Sequence, residues 1–209
     1  MMVLRWTALA VALSSTAAAA ETAPAQKPAE NERGGFVLGL TGGFAMGTAS
    51  GYPNDLQKLD NPTFHSDGGF MVGESSGFMM MGAFARELNF GIWLNQSFTS
   101  SSAGKSNAYG GGFRVEVFPI GWLVPALRDL VFIGQFGIGG GNLTGAAPEA
   151  AEGVQSYVGA GAFYEWMFAH PGKTRWVVGP SVEYQLVTSR PFDRPNVVFG
   201  LRFALYTGR

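Results

Sequence analysis

Five charged residues could form a network of ion pairs in the interior of the protein: Arg114, Glu116, Glu165, Glu183 and Arg202. An isolated buried ion is very costly, so enclosed charges must find partners. Two guanidinium groups nearly balance three carboxylates. Three kinds of chemistry are open: a hydrogen-bonded plug, a path for small ions or solutes through rearranging pairs, or an acid/base pair for catalysis.

Hydrolytic chemistry has one further candidate, because His65, Ser66 and Asp67 are the residue types of a catalytic triad. They are consecutive, whereas a triad needs side chains that converge from separate segments. The only other histidine is His170, and two histidines cannot make a structural metal site by themselves. The sequence therefore predicts no catalytic residue, no metal site, no cofactor and a surface loop around His65.

The composition narrows the class of protein. Of 209 residues, 14% are charged, against roughly 25% in an ordinary soluble domain. The net charge of −1 argues against a nucleic-acid partner, which usually leaves a basic footprint. There is no cysteine, which excludes disulfides, cysteine-ligated zinc and thiol catalysis. Glycine, with 31 residues, and the aromatic residues, at 13%, are both abundant.

The first 20 residues have the pattern of a secretory signal peptide. Arg5 supplies a positive charge, an apolar stretch follows over 6–13, and Ala18-Ala19-Ala20 provides small residues for cleavage. Residues 21–33 are rich in proline, alanine and glutamate, which predicts a disordered periplasmic leader. We therefore expect a cleaved signal over 1–20, a leader over 21–33 and one domain over 34–209.

Beyond residue 34, stretches of about ten residues alternate between large apolar and small or polar side chains, which predicts β-strands. Polar or glycine- and proline-rich breaks separate them. The sequence predicts eight strands, whose apolar faces begin with Phe36, Phe78, Phe90, Tyr109, Phe132, Val158, Trp176 and Val197. Pro180 lies inside the seventh strand and cannot donate to a ladder, so we expect a bulge at Gly179-Pro180 that interrupts the pairing.

This alternation fits a soluble barrel with an apolar core or a membrane barrel with an apolar outside. The polar face carries too few charges for a solvated surface and many glycines, which suit a narrow barrel interior. Aromatic residues also cluster at strand ends, as in an interfacial girdle: Trp122, Trp166, Trp176 and Tyr206. We therefore predict an all-β, eight-stranded antiparallel up-and-down transmembrane β-barrel. A soluble periplasmic barrel that binds an apolar ligand is the alternative.

The lengths of the connections predict an orientation, since periplasmic turns are the short ones. The segments expected on the periplasmic side are 86–88, 119–129 and 168–174. The segments expected on the outer side are 48–75, 99–107, 140–153 and 187–195. Loop 48–75 is the longest and is the best candidate for an extracellular ligand.

With these features the chain resembles the OmpA/OmpX-type eight-stranded outer-membrane proteins of Gram-negative bacteria, over about Gly34 to Tyr206. The alternating residues Phe199, Leu201, Phe203 and Leu205 match the last strand of that family, although the chain ends on Arg209 instead of an aromatic residue. The resemblance implies outer-membrane lipid and the barrel-assembly machinery as partners. It also implies a non-enzymatic structural or surface-interaction protein with a plugged polar lumen. A narrow porin-like channel and a lipid-modifying enzyme remain alternatives.

Overall fold

Antiparallel β-strands make up almost all of the protein in the computed structural model, which describes residues 33–119, 124, 127–146, 149–169 and 174–207. A 3-10 helix, Pro62–Phe64, lies between the first two strands. The strands are β1 Gly35–Gly51, β2 Ser66–Ala85, β3 Leu88–Ser100, β4 Lys105–Val117, β5 Leu130–Thr144, β6 Ala151–Tyr164, β7 Trp166–Ala169, β8 Thr174–Thr188 and β9 Phe192–Thr207. Within these ranges no helix is long and apolar enough to cross a membrane.

The sheet closes on itself. From β1 to β6 each strand pairs with the next strand in the chain, β8 pairs with β9, and β9 pairs with β1. β6 and β7 both pair with β8. β6 and β7 keep one register against β8 and together form the sixth strand of an eight-stranded antiparallel barrel. The predicted fold is confirmed. A row of paired residues that starts at Leu40 returns to β1 at Ser50, ten residues further on. This stagger corresponds to a strand tilt of about 40°.

The ladder of the sixth strand is interrupted where Pro180 was expected to interrupt it. Pairing of β6 with β8 ends at Phe163 opposite Ser181 and resumes in β7 with Trp166 opposite Val178. Pro180 has no N–H to donate, which accounts for the gap. The predicted bulge is wrong, because the register is the same on both sides of the gap and β8 pairs with β9 without a shift.

Side chains alternate between the outside and the lumen as the sequence predicted. Most of the large apolar residues face outward in every strand, and the lumen holds the small and polar residues together with some large apolar ones such as Trp93, Val131 and Phe163. In β2, where three methionines follow one another, Met79 and Met81 point into the lumen and Met80 points outward. The outer surface is therefore apolar, and the lumen holds the charges.

The two ends of the barrel differ in the connections between their strands. The turn end is where residues 86–87 join β2 to β3, and the loop end is where residues 52–65 join β1 to β2. The predicted loop 48–75 is too long, because β1 continues to Gly51 and β2 begins at Ser66. The other three outer loops are also shorter than predicted, at 101–104, 145–150 and 189–191. The strand ends are rich in polar and glycine residues, so the apolar alternation does not reveal them. Backbone pairing extends these hairpins without requiring apolar side chains.

Candidate functional site

The lumen holds one continuous ion-pair network that contains all five charged residues singled out from the sequence. The Arg114 guanidinium lies 2.8 Å from Glu116 and 3.2 Å from Glu183. The Arg202 guanidinium lies 3.0 Å from Glu116 and 3.0 Å from Glu165. Glu116 thus joins the two arginines, and each of the five side chains is almost completely buried. Charge-assisted hydrogen bonds in so enclosed a place are strong and hold fixed geometry.

Tyr206 belongs to this network, not to the aromatic girdle in which the sequence placed it. Its hydroxyl donates to Glu165 at 2.7 Å and accepts from the Asn89 amide at 3.0 Å. The same amide donates to Glu116 at 3.1 Å. The girdle prediction for Tyr206 is wrong for a simple reason: Leu205 faces outward, so the next residue of the strand faces inward.

Arg33 closes the network at the turn end. Its Nε lies 3.1 Å from Glu165 and its Nη2 lies 2.6 Å from Asp129. The guanidinium also lies 4.0 Å from the centre of the Phe118 ring, a cation–π distance. Arg33 is the last residue of the predicted leader over 21–33, and its side chain is buried between these partners.

Arg194 lies in the other half of the lumen, towards the loop end, and its partners are neutral. Its Nη1 donates to Ser97 at 2.7 Å, its Nε to Ser106 at 3.0 Å and its Nη2 to Thr99 at 3.1 Å. Asn196, with its amide oxygen turned towards the guanidinium, accepts from Nη1 at 2.6 Å. β9 is not adjacent to β3 or β4, so this side chain reaches across the lumen.

Apolar clusters close the lumen at both ends. At the loop end the buried cluster consists of Ala49, Met71, Leu143, Ala151 and Phe192. At the turn end it consists of Phe118, Val131, Ile133 and Phe163. Two internal chambers are each about 10 Å³, which is room for about one water molecule. Within the described strands and loops, no group of three or more histidine or acidic side chains could hold a metal ion.

The outward aromatic residues at the turn end include two of the predicted girdle. Trp166 is 52% exposed and Trp176 39% exposed, and both face outward. The ring of Trp176 packs at 5.1 Å from that of Phe203, and the ring of Trp166 lies 6.2 Å from that of Tyr164. Trp122, the remaining member, lies outside the described residues.

Comparison with known proteins relates the chain to solved structures only. No protein-family model and no curated protein matches the sequence. The crystal structure of Ail, the attachment invasion locus protein of Yersinia pestis, is similar over 82% of this chain and 99% of that chain, at 12% identity and a TM-score of 0.51. Neisserial surface protein A matches at 9% identity and a TM-score of 0.49, over 82% of this chain and 96% of its own. The outer membrane protein OprG from Pseudomonas aeruginosa matches at 11% identity and a TM-score of 0.41, over 83% and 97%.

At 12% identity, the similarity to Ail shows a shared fold. The eight-stranded barrel of this chain and that of Ail have the same architecture over nearly the whole of the Ail chain. The fold therefore has independent support, and function must be argued from the residues of this chain.

The residues of the triad-like string do not converge. The ring of His65 packs edge-on against Tyr52 at 5.0 Å. The Ser66 hydroxyl donates to the carbonyl of Glu149 at 3.4 Å, and the Asp67 carboxylate accepts from the backbone of Gly69 at 2.8 Å. Each side chain thus has a separate structural partner.

The sequence did not predict the lumen positions of Arg33, Arg194 and Tyr206. Arg194 was assigned to the loop 187–195, although it follows the same alternation as Asn196 and Arg202 and so faces inward. Following the alternation backwards from Asn196 through Pro195 predicts an inward side chain at Arg194. No signal in the sequence could have found Arg33, because it precedes the first strand.

Proposed function

We propose that the chain is a non-enzymatic β-barrel of the Gram-negative outer membrane, with a plugged polar lumen and a structural or surface-interaction role. The observation that supports this proposal is the distribution of polarity, which is the reverse of that in a soluble protein. Large apolar side chains such as Leu40, Phe136 and Leu201 are more than half exposed around the barrel wall, while Arg114, Arg202 and their carboxylates are enclosed. In water such a surface would aggregate, and in lipid it is the stable one.

The interior supports a plug in preference to a channel. The ion pairs that join Arg114, Arg202 and Arg33 to acidic partners cross the lumen in its turn-side half. The loop-end cluster lies beyond the polar part, and at the turn end Phe118 and Phe163 pack against the guanidinium groups of the network. A path for ions would have to open both clusters and break several buried pairs, each of which is costly to break.

The loop end supports a role in contacts outside the membrane. Loop 52–65 is tied down on two sides: the Tyr52 N–H donates to Pro191 at 2.6 Å, and Lys58 forms an ion pair with Glu149 at 2.5 Å. Leu56 in this loop is 85% exposed. A large apolar side chain held on a fixed loop is a feature of recognition surfaces. The related structure is named for attachment and invasion, and a comparable role is part of this proposal.

The partners follow from this placement. Outer-membrane lipid would cover the apolar wall, and Trp166 and Trp176 would lie near the interface at the turn end. A chain of this kind reaches the membrane after removal of a signal peptide near Ala20 and folds with the help of barrel-assembly machinery. An extracellular ligand would bind the part of segment 48–75 that forms loop 52–65.

Fractionation and gel mobility test the proposal together. The full-length chain is expressed in a Gram-negative host, membranes are separated by density, and samples are run with SDS before and after boiling. We expect recovery with outer membranes and a mobility that shifts only on boiling, because a closed barrel resists SDS. Recovery as a soluble monomer without detergent would overturn the membrane placement.

A further inference from the structure

Arg194 is a buried cation without a buried anion. Its guanidinium is completely inaccessible to solvent. The carboxylates in the lumen pair with other arginines, and among the residues that the structure describes none forms an ion pair with Arg194: Glu116, Asp129, Glu165 and Glu183 bind Arg33, Arg114 or Arg202. Burial of an unpaired charge is costly, so a compensating charge is expected at this place.

The groups around Arg194 are mostly donors that lack acceptors. The hydroxyl oxygens of Ser97 and Ser106 accept from the guanidinium, and neither hydroxyl donates a hydrogen bond within the described part of the chain. The Thr99 hydroxyl has only the Met71 sulfur as acceptor, at 3.9 Å. Two O–H groups beside the cation therefore have protons left to donate, and the third donates only to a weak acceptor.

Tyr157 adds a further unused donor. Its hydroxyl is buried and has no hydrogen-bond partner among the described residues, and Glu183 and Arg114 as well as Arg194 are near enough to act on it. Gln155, two residues towards the loop end on the same face of β6, is also buried and neither atom of its amide group has a partner. Buried polar groups without a partner are rare in folded proteins and are usually satisfied by an ordered water or an ion.

We propose that the loop-side half of the lumen binds a single halide ion at Arg194. Arg194 is surrounded by the hydroxyl groups of Ser97, Ser106 and Thr99, and no carboxylate of the described residues pairs with its charge. Such N–H and O–H groups around a fixed positive charge are the surroundings that a small anion requires. The two small chambers of about 10 Å³ lie beside Glu183 and are not lined by Arg194, so the smallest kind of anion, a one-atom ion, is assigned to the closely packed hydroxyl groups. The proposal does not depend on the function of the barrel.

The apolar cluster at the loop end makes this site a closed one. Met71, Leu143 and Phe192 are each almost completely buried and separate the polar layer around Arg194 from the mouth of the barrel. The ion would enter during folding or through transient opening of this cluster. Replacement of Phe192 by alanine is therefore expected to speed halide exchange without removing the site.

Bromide provides the direct test, because it scatters anomalously and replaces chloride. Crystals of the wild-type protein are grown in sodium bromide, so that the ion is present throughout. We expect an anomalous peak within hydrogen-bonding distance of the Arg194 guanidinium, and none there in crystals of Arg194→Gln. Wild-type crystals with no peak at this position would overturn the proposal, even if the variant cannot be folded.

Stability in solution provides the second test. Thermal unfolding in detergent is compared in sodium chloride and sodium gluconate at equal ionic strength. At tenfold excess over its dissociation constant, chloride should raise the Tm of the wild type by about 3–5 °C. The difference should disappear in Arg194→Gln and shrink in the double variant Ser97→Ala/Ser106→Ala. Arg190→Gln is the control, because that side chain is 74% exposed, and it should keep the full chloride effect. Equal chloride effects in wild type and Arg194→Gln would contradict the proposal.

Discussion

Arg33 and Glu165 form an ion pair of 3.1 Å, although 132 residues separate them in the chain. Arg33 precedes the first strand, and Glu165 is the residue at which the sixth strand is interrupted. The same guanidinium also reaches Asp129, in the connection between β4 and β5. One arginine thus joins the start of the barrel domain to two later parts of its wall and covers the turn end of the lumen.

Removal of Arg33 should loosen the barrel without unfolding it. Arg33→Met removes a buried pair with Glu165 and a part-buried pair with Asp129, but Glu165 keeps Arg202 and Tyr206 as partners. We therefore expect a loss of about 1–3 kcal/mol of unfolding free energy. Urea unfolding of the protein in lipid vesicles measures it. Arg190→Met is the matched control, since its pair with Asp60 is exposed on both sides and should contribute nothing measurable. Equal midpoints for the two variants would show that Arg33 is not part of the folded network.

Removal of Arg202 should be much more damaging. Its two carboxylate partners, Glu116 and Glu165, are completely buried, and Arg202→Met would leave Glu165 with Arg33 and Glu116 with Arg114 in a lumen of excess negative charge. We expect a loss of about 3–5 kcal/mol, by the same urea measurement. The compensating double variant Arg202→Met/Glu116→Gln should recover part of it. No recovery would mean that packing of the Arg202 side chain, and not its charge, is what matters.

Conduction should be absent. Planar bilayers that contain the purified wild-type barrel should show no single-channel steps, because apolar clusters close the lumen at both ends. Glu165→Ala should be silent as well, since the loop-end cluster with Phe192 is untouched by that change. Stepwise currents in the wild type would favour the channel alternative over the plug.

The alternation of large apolar residues was enough to predict eight strands and the direction of most of their side chains. This works because a barrel wall has one lipid-like face and one enclosed face, so a period of two is enforced over each strand. The ends of strands escaped prediction. Pro195 interrupts the apolar alternation next to Arg194, so the inward position of Arg194 is evident only when the alternation is followed through the proline. Tyr206 has the residue type of an interfacial girdle, but its position in the alternation places it inside the barrel.

The partners within the lumen could not be predicted from the sequence. The sequence places the five charged residues in one group. Which carboxylate binds which arginine depends on the ten-residue stagger of the barrel, and no local sequence pattern determines that stagger. For the same reason, a reach across the lumen from Arg194 to Ser97 becomes visible only when the sheet is closed.

The Tyr206 hydroxyl should contribute measurably to stability. Tyr206→Phe removes a donor to Glu165 and an acceptor for Asn89 while the ring remains in place. We expect a loss of about 1–3 kcal/mol in the urea experiment. Tyr184→Phe is the control, because that side chain faces outward on β8 and is half exposed. A loss as large in the control would show that the effect is not specific to the lumen.

Gly179 should tolerate no side chain. A Cβ atom built at this position would lie 1.6 Å from the carbonyl oxygen of Tyr164, so Gly179→Ala must push apart β8 and the sixth strand next to the interruption at Pro180. Gly42→Ala is the matched control on β1, where a Cβ would meet no atom within 4 Å. Unboiled samples in SDS gels should show the compact band for wild type and Gly42→Ala, and a largely unfolded band for Gly179→Ala. A compact band of normal intensity for Gly179→Ala would mean that the two strands are not held this closely together.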